Sequence, residues 1–362
     1  MGMKNQPKTR ITAFILVLLF LLSGCGSTAA EDSASAEPSM LPTAEPAPSD
    51  ADIAPPEDTA LPEAAKYQFN PHLYVPMLAA DIPQDYWDSF YNLCDALRAG
   101  ETTFACSSEQ AYQWATSPVT LNALFPAACM KITGQSPDGS AGFANGVGTI
   151  CYQMPIDEYL ERQAQFEAMI TDLLNTCLDP DDDDFEKSLK LFDYISVHYS
   201  YQYDFIEDMP DGANYNTMMT GAGQCIDLAG VYTYLLLQAG VEAVQVGCSN
   251  EAIAHEWVYL VIDGKGYHSD VTWSLRAAEE DLPLYYFLMT GARRAETGCA
   301  VDDLTAPLLP YYWLSRSSLV LTSEDDSLDF PSGSFLLSID EENKTVRYLC
   351  FGKEDELNYA KK

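Results

Sequence analysis

Three residues between positions 223 and 273 have the types and the order of a nucleophilic active site. Cys225 precedes a long apolar segment, His255 lies near the start of a strand-like segment, and Asp270 lies near the end of the next one. A thiolate can attack a carbonyl carbon, an imidazole can carry the proton, and a carboxylate can orient the imidazole. These residue types predict acyl chemistry through a Cys-His-Asp triad and a thioester.

The position of Cys225 depends on a helix that we predict over residues 225–239. Nearly every residue of this segment is apolar, which is typical of a buried central helix, and Gly240 suits its C-terminal end. Cys225 then lies in the first turn, where the partial positive charge of the helix favours a thiolate over a thiol. The N–H groups of this turn can also donate hydrogen bonds to an oxyanion.

Two strands and a tight turn must position the other two residues. The segments 241–247 and 253–262 predict strands, and the dipeptide Asp263-Gly264 is a strong signal for a two-residue hairpin turn. The returning strand is predicted over residues 265–272. A hairpin of this kind brings both predicted site residues onto one small sheet.

The length of the turn decides which side chains share a face of that sheet. A two-residue turn pairs Ile262 with Lys265, and therefore Trp257 with Asp270. Because side chains alternate along a strand, His255 and Asp270 then share a face as diagonal neighbours, roughly 7–8 Å apart between Cα atoms. A turn longer by one residue would place them on opposite faces.

Several neighbours of the predicted triad need a separate interpretation. His268 is predicted to point to the face opposite Asp270 and to have a structural role. Trp257 and Trp273 are expected in the core rather than as a platform for substrate. The second oxyanion donor stays open among three candidates, Gln202, Tyr203 and Tyr215.

Taken together, these segments resemble the transglutaminase-like superfamily, whose core has a papain-like fold. The resemblance covers about residues 185–295 and is carried by Gly223-Gln224-Cys225 with Ala229, by His255-Glu256-Trp257, by the segment 267–273, and upstream by Tyr203-Asp204 and Asn214-Tyr215. The resemblance implies an α+β fold in which a central helix carrying the cysteine packs on an antiparallel sheet. It implies that Cys225 is the nucleophile, His255 the general base and acid, and Asp270 the residue that orients His255.

The N-terminal segment 1–25 has the pattern of an export signal. Three basic residues precede an apolar stretch at 11–22, which is too short to span a membrane, and the sequence LSGC follows at 22–25. This pattern resembles the bacterial lipobox, in which Cys25 becomes lipidated. The alternative is an ordinary signal peptide with an incidental cysteine. We expect a lipoprotein that acyl chains anchor outside the cytoplasmic membrane.

Residues 26–66 have the composition of a disordered tether. Nine acidic residues and seven prolines occur there, with no aromatic residue. Such a segment cannot bury enough apolar surface to offset its ordering entropy. Beyond it we predict a mostly helical region over 67–180, a transglutaminase-like core over 181–300 and a strand-rich extension over 301–362.

Local patterns outside the core predict further elements. Helices are expected over 85–98, 108–114 and 155–177, a strand over 149–154, and two strands around a polar turn over 334–351. The acidic run 181–184 has two interpretations, a calcium site or the start of a helix, and the second is favoured because acidic side chains stabilise a helix N-terminus.

Composition excludes some classes of function. The formal net charge of -35 at pH 7 argues against binding to nucleic acid. The sequence contains neither a phosphate-binding glycine loop nor paired zinc-ligand cysteines, so no cofactor and no metal are predicted. Ten cysteines occur, and after Cys25 and Cys225 are set aside, eight could form disulfides: 94, 106, 129, 151, 177, 248, 299 and 350.

The predicted function is therefore thiol-dependent chemistry on protein or peptide amides at the cell surface or wall. The thioester could be released by water, as in a protease or amidase, or by an amine, as in a transglutaminase. The alternative is a non-catalytic module that keeps this fold to bind a surface peptide or glycan.

Overall fold

The computed structural model describes residues 67–134, 142–204, 211–250, 253–298, 304–309 and 317–360. The predicted signal peptide with Cys25, the predicted tether and Cys299 lie outside the described residues. Residues 65–362 form one compact unit. Within the described part of the chain, no helix is both long and apolar enough to cross a membrane.

Eight α-helices occur in the described residues: α1 (Gln84–Ala99), α2 (Glu109–Ala115), α3 (Pro118–Leu124), α4 (Ile156–Cys177), α5 (Asp184–His198), α6 (Ala213–Thr220), α7 (Cys225–Gln238) and α8 (Gly291–Glu296). The helices predicted over 85–98, 108–114 and 155–177 are confirmed as α1, α2 and α4. Ser108 accepts a hydrogen bond from the N–H of Ala111 at the start of α2, and Gly100 ends α1 in the left-handed conformation.

The described strands are β1 (Thr103–Ala105), β2 (Ile132–Thr133), β3 (Phe143–Ala144), β4 (Val147–Thr149), β5 (Cys151–Tyr152), β6 (Ser200–Tyr201), β7 (Ala222–Gly223), β8 (Ala243–Ser249), β9 (Ala254–Ile262), β10 (Lys265–Ser269), β11 (Leu304–Thr305), β12 (Ser334–Asp340), β13 (Thr345–Cys350) and β14 (Lys353–Asn358). The single strand predicted over 149–154 is wrong. β4 pairs with β1 and β3, whereas β5 pairs with β2, so the chain changes sheet at Ile150.

The core that carries the predicted site is helix α7 packed on a four-stranded sheet of order β10-β9-β8-β11. Leu228, Val231 and Leu235 of α7 are fully buried, and these three positions share one face. Almost every other residue of α7 is buried as well, so the helix is surrounded by protein. This arrangement confirms the α+β fold with a central helix on an antiparallel sheet.

Strand β8 begins at Ala243, two residues later than predicted. Gly240 has φ of 83°, a conformation that only glycine adopts readily, and ends α7 as expected. The N–H of Val241 still donates to the carbonyl of Leu236 at 2.9 Å. The helix C-terminal motif therefore occupies the residues that were assigned to the strand.

The hairpin register is confirmed, because Ile262 pairs with Lys265. Strand β10 nevertheless ends at Ser269 and does not continue to residue 272 as predicted. The N–H of Asp270 donates instead to the carbonyl of Tyr286 at 2.9 Å. A later segment of the chain thus lies along the edge of β10 that faces away from β9, where His268 also exchanges hydrogen bonds with Met289.

The acidic run 181–184 starts helix α5, which confirms the favoured interpretation. Asp183 and Glu186 form a reciprocal capping box at the helix start. Asp182, with Asp179 and Glu341, offers carboxylate oxygens close enough together for a cation. The ammonium group of Lys190 binds all three carboxylates, at 2.6–2.9 Å, and so fills this position.

The C-terminal residues form a three-stranded antiparallel sheet of order β12-β13-β14. The two strands predicted over 334–351 are confirmed as β12 and β13. The side chain of Glu186 in α5 is 1% exposed and accepts hydrogen bonds from Lys344 at 2.8 Å and Tyr359 at 2.6 Å. Phe185 stacks on Tyr359 with ring centroids 4.2 Å apart. The extension is therefore joined to the first turn of α5.

Candidate active site

Cys225 is the first residue of α7, as predicted, and a short parallel strand pair fixes the chain that leads to it. In β6 and β7, Tyr201 pairs with Gly223, and the N–H of Gln202 donates to the carbonyl of Gly223 at 2.9 Å. A Cβ atom on Gly223 would lie 2.8 Å from the side chain of Asp227, so glycine is required by close packing. Asp227 accepts the N–H of Gln224 at 2.8 Å and caps the helix.

His255 and Asp270 meet as the hairpin register predicts. Nε2 of His255 lies 2.7 Å from Oδ2 of Asp270, and the two side chains are 7% and 0% exposed. Since Nε2 is bonded to the carboxylate, Nδ1 is the ring nitrogen left for Cys225. Cys225 lies close enough to His255 to raise the pKa of the imidazole. The structure thus brings the three predicted site residues together.

The electrostatics of His255 favour its charged form. Burial lowers the pKa of the imidazole, but hydrogen bonds to Asp270 and Cys225 and the negative charges of these groups outweigh burial and raise the pKa to about 9. Oδ1 of Asp270 is buried and has no hydrogen-bond partner among the described residues. The carboxylate therefore directs one oxygen at the imidazole.

An indole ring supports the other side of the imidazole. Trp273 stacks on His255 with ring centroids 4.6 Å apart and planes inclined by 7°. Trp257 is buried, as predicted, and the guanidinium of buried Arg294 lies 3.5 Å from its ring centroid. Trp273 was expected in the core, yet it is half-buried and lines a cleft beside His255.

The prediction that His268 lies on the face opposite Asp270 is wrong, because residues 268 and 270 are two apart along the chain and His268 pairs with Tyr259, on the same face as Trp257 and His255. Its contacts are nevertheless structural. It is 2% exposed, and its Nδ1 accepts a hydrogen bond from Nε1 of Trp257 at 2.9 Å. Burial, together with the positive charge of Arg294, lowers the pKa of this histidine to about 3. His268 is therefore neutral at pH 7 and distinct in role from His255.

A partly buried polar cluster ties the sheet to the start of α7. Nε2 of Gln245 donates to the carbonyl of Ile226 at 2.8 Å and to Oε2 of Glu256 at 2.5 Å. Burial raises the pKa of Glu256 to about 7, against the hydrogen bond from Gln245, and nearby Asp227 raises it further. The sequence analysis did not identify Gln245, although this residue lies within the strand predicted over 241–247.

Among the described residues, none of the three considered as second oxyanion donors makes a hydrogen bond to Cys225. Tyr203 is 85% exposed, and Gln202 uses its backbone to hold Gly223. The ring of Tyr215 packs under Arg162, 3.4 Å from its guanidinium carbon. The ring of Tyr201 instead lines the same cleft as His255, and burial, followed by the neighbouring Cys225, raises the pKa of its hydroxyl.

An open cleft of about 800 Å³ lies beside His255. Tyr199, Tyr201 and Tyr203 line one part of it, and His255 with Trp273 line another. A cleft of this size can hold several residues of a peptide chain. His255 therefore faces the cleft and Cys225 is half-buried, whereas Asp270 stays buried.

Residues 171–271, which contain all three predicted site residues, match the family model of the Transglutaminase-like superfamily. Among solved structures, the chain is similar to a candidate cysteine protease from Cytophaga hutchinsonii, with 20% identity, a TM-score of 0.22, and coverage of 33% of this chain and 39% of that chain. It is also similar to a candidate protease from Parabacteroides distasonis ATCC 8503, with 13% identity, a TM-score of 0.29, and coverage of 44% and 28%.

The chain therefore spans less than half of either solved relative. No curated protein matches the sequence. The site geometry and the family match fall in the same segment. The chain carries a transglutaminase-like domain over residues 171–271.

Proposed function

We propose that this protein is a cysteine-dependent enzyme that acts on protein or peptide amides by hydrolysis or acyl transfer. The observation that carries the proposal is the contact of Cys225 with an imidazole that is charged up to about pH 9 and bonded to a buried carboxylate. The match to the transglutaminase-like superfamily supports membership of a family of thiol enzymes.

The reaction follows from the three groups. The Cys225 thiolate attacks the amide carbon, so that an S–C bond forms and the π electron pair of the carbonyl moves onto oxygen. When the C=O bond re-forms, the C–N bond breaks and His255 gives its proton to the departing amine. Water or a second amine then attacks the thioester, returns a proton to His255 and releases the thiolate.

We also propose that the enzyme works outside the cytoplasmic membrane, held there by a lipid on Cys25. The support is the sequence pattern of the segment 1–25. Substrates would then be proteins or peptides of the cell surface or wall. Radioactive palmitate labelling of the expressed full chain, compared with a Cys25→Ala variant, tests this location, and equal labelling of the two proteins would refute it.

Thiol reactivity tests the proposed nucleophile. We expect iodoacetamide to alkylate Cys225 at pH 6 many times faster than it alkylates free cysteine, because the neighbouring imidazolium and the helix start stabilise the thiolate. Peptide mass spectrometry after timed labelling gives the rate at each cysteine. Cys350, a half-buried thiol outside the site, serves as the internal reference.

The His255→Ala variant should lower the alkylation rate of Cys225 toward that of free cysteine while the rate at Cys350 stays unchanged. An alkylation rate at Cys225 equal to that of free cysteine in the unmodified protein would refute the enzyme and favour the binding module. Turnover is then measured with casein as acyl donor. Incorporation of a fluorescent primary amine indicates transfer, and new peptide N-termini or released ammonia indicate hydrolysis.

A further inference from the structure

A single amide joins the strand that carries His255 to the helix that begins with Cys225. Nε2 of Gln245 in β8 donates one hydrogen bond to the carbonyl of Ile226 at 2.8 Å and another to Oε2 of Glu256 at 2.5 Å. Ile226 directly follows Cys225 in the chain, in the first turn of α7. Glu256 directly follows His255 in β9. The amide therefore holds the chain neighbours of both the proposed nucleophile and the proposed base.

The sheet register places the two polar side chains next to each other. Gly247, two residues after Gln245 in β8, pairs with Glu256. The side chains of Gln245 and Glu256 are therefore diagonal neighbours on one face of the sheet. Gly247 leaves the room that the carboxyl side chain occupies, since a Cβ atom on this glycine would lie 2.7 Å from Cγ of Glu256.

Both groups lie outside the cleft. Because side chains alternate along a strand, Glu256 points to the face opposite His255. Neither Glu256 nor Gln245 is among the described residues that line the cleft beside His255. An effect of either group on the reaction must then pass through the residues that it holds. Burying a carboxyl near Asp227 costs free energy, and the bond from Gln245 offsets part of that cost.

We propose that Gln245 is a positioning residue, which clamps the first turn of α7 to strand β9 and so sets the distance between the thiol and the imidazole. The attraction between a thiolate and an imidazolium weakens as the two charges separate, so the clamp stabilises the thiolate of Cys225. Glu256 orients the amide, because its carboxylate accepts one N–H and leaves the other for the carbonyl of Ile226. This inference rests on the proposed function and extends it to two residues outside the triad.

The competing interpretation is that the clamp only stabilises the fold. The two roles differ in their effect on the thiol. Loss of a purely structural contact lowers the free energy of unfolding but leaves the pKa of Cys225 in the folded protein as it was. Loss of positioning moves the thiolate away from the imidazolium, so that the thiol reacts only at higher pH.

The test measures the rate at which iodoacetamide alkylates Cys225 between pH 4 and pH 10 in the full chain, by peptide mass spectrometry. Gln245→Met keeps the length of the side chain and removes both N–H donors. We expect the pH of half-maximal rate to rise by about 1 in this variant, the shift that loss of roughly one hydrogen bond would produce. The limiting rate at high pH should change by less than about threefold, as expected for thiolates of similar basicity.

A conservative variant checks the part played by the carboxyl. Glu256→Gln keeps an acceptor oxygen for the amide of Gln245. The pH of half-maximal rate should therefore shift by less than half as much as in Gln245→Met. A shift in Glu256→Gln as large as that in Gln245→Met would show that the charge of Glu256, and not the clamp, controls the thiol.

Gln238→Met is the matched control. Gln238 is a buried residue at the other end of α7, and its amide also donates two hydrogen bonds, to the carbonyl of Asn70 at 3.0 Å and to the hydroxyl of Tyr234 at 3.1 Å. The pH profile of this variant should match that of the unmodified protein. Cys94 is fully buried and should stay unlabelled in every folded variant. If Gln245→Met exposes Cys94, Gln245→Asn replaces it, since the shorter amide cannot span both acceptors.

An unchanged pH profile for Gln245→Met, with Cys94 still protected, would overturn the positioning role and leave the clamp as a structural contact. An equal shift in Gln238→Met would also overturn it, because any loosening of α7 would then have the same effect. If Cys225 of the unmodified protein is alkylated no faster than free cysteine at pH 6, the proposed function itself fails. That result is distinct from a shift that is confined to the clamp variants.

Discussion

At the scale of single residues, the chemistry is concentrated in His255, which is held on three sides. Asp270 binds one ring nitrogen, Cys225 contacts the ring, and Trp273 stacks on its face at 4.6 Å. Burying a charged imidazole is costly unless partners compensate. Here two acidic partners do so, and the result is a cation next to Cys225, the proposed nucleophile, at neutral pH.

This arrangement predicts a pH-dependent stability that Asp270→Asn should remove. The pKa of His255 is raised from 6.5 to about 9 in the folded protein, so its stabilising contribution is complete below pH 6.5 and is lost as the pH rises through 9. We expect the free energy of unfolding of the unmodified protein to exceed that of Asp270→Asn by on the order of 1–3 kcal/mol at pH 6. The difference should shrink toward pH 10.

Urea unfolding at pH 6, 7.5, 9 and 10 measures this difference. Comparing the two proteins at each pH cancels the titration of groups that Asp270 does not influence. A difference that stays constant from pH 6 to 10 would show that His255 is not protonated in the folded state.

Residues of the site differed in how well the sequence could predict them. The meeting of His255 and Asp270 follows from strand alternation and a two-residue turn, both of which are local. Tyr201 could not be identified in this way. Its place beside Cys225 depends on a short parallel pairing between segments far apart in the chain, which no periodicity in the sequence indicates.

At the scale of elements, the start of α7 is stabilised from both sides. Asp227 caps it from within the helix, and Gln245 binds the carbonyl of Ile226 from strand β8. Burial raises the pKa of Asp227, and the hydrogen bond that it accepts from the N–H of Gln224 acts against this rise. A reactive thiol on a frayed helix end would lose both its orientation and its N–H donor, so the cap supports the chemistry.

Removing the cap should weaken the helix start. We expect Asp227→Ala to reduce the free energy of unfolding by about 1–2 kcal/mol, because the N–H of Gln224 loses its acceptor. The variant Asp227→Asn retains a side-chain oxygen and should lose less than half of that amount. Urea unfolding at pH 7 compares the three proteins, and equal losses in both variants would show that charge rather than capping matters here.

At the scale of the whole molecule, the C-terminal sheet is part of the fold that carries the site. Glu186 lies in the first turn of helix α5, where it is part of the capping box. Its carboxylate also accepts hydrogen bonds from Lys344 and Tyr359 of the extension. Although burial raises the pKa of Glu186, these bonds outweigh it and lower the pKa below its ordinary value. The strands predicted over 334–351 could be found from their alternation, whereas their docking on α5 could not, because it depends on single contacts between distant segments.

A charge-removing substitution tests this connection. We expect Glu186→Gln to lower the free energy of unfolding by about 1.5–3 kcal/mol at pH 7, the range for hydrogen bonds to charged groups. Because the pKa of Glu186 is lowered, its contribution is present above the unfolded value near 4.3 and is lost as the pH falls. The difference between the two proteins should therefore disappear toward pH 3.

Thermal or urea unfolding between pH 3 and pH 7 provides the measurement. Tyr359→Phe removes one hydrogen bond but keeps the stack on Phe185, so its effect should be smaller. A loss for Glu186→Gln that is the same at pH 3 and pH 7 would indicate a packing effect rather than the loss of a paired charge.

The stacking of Trp273 on His255 has an optical consequence. An imidazolium accepts an electron from an excited indole and quenches its fluorescence, whereas a neutral imidazole quenches much less. The emission of this tryptophan should therefore report whether its neighbour carries a proton, and should change when a substrate or an alkylating reagent removes the charge from the sulfur. The protein contains its own label-free sensor of the state of the proposed nucleophile.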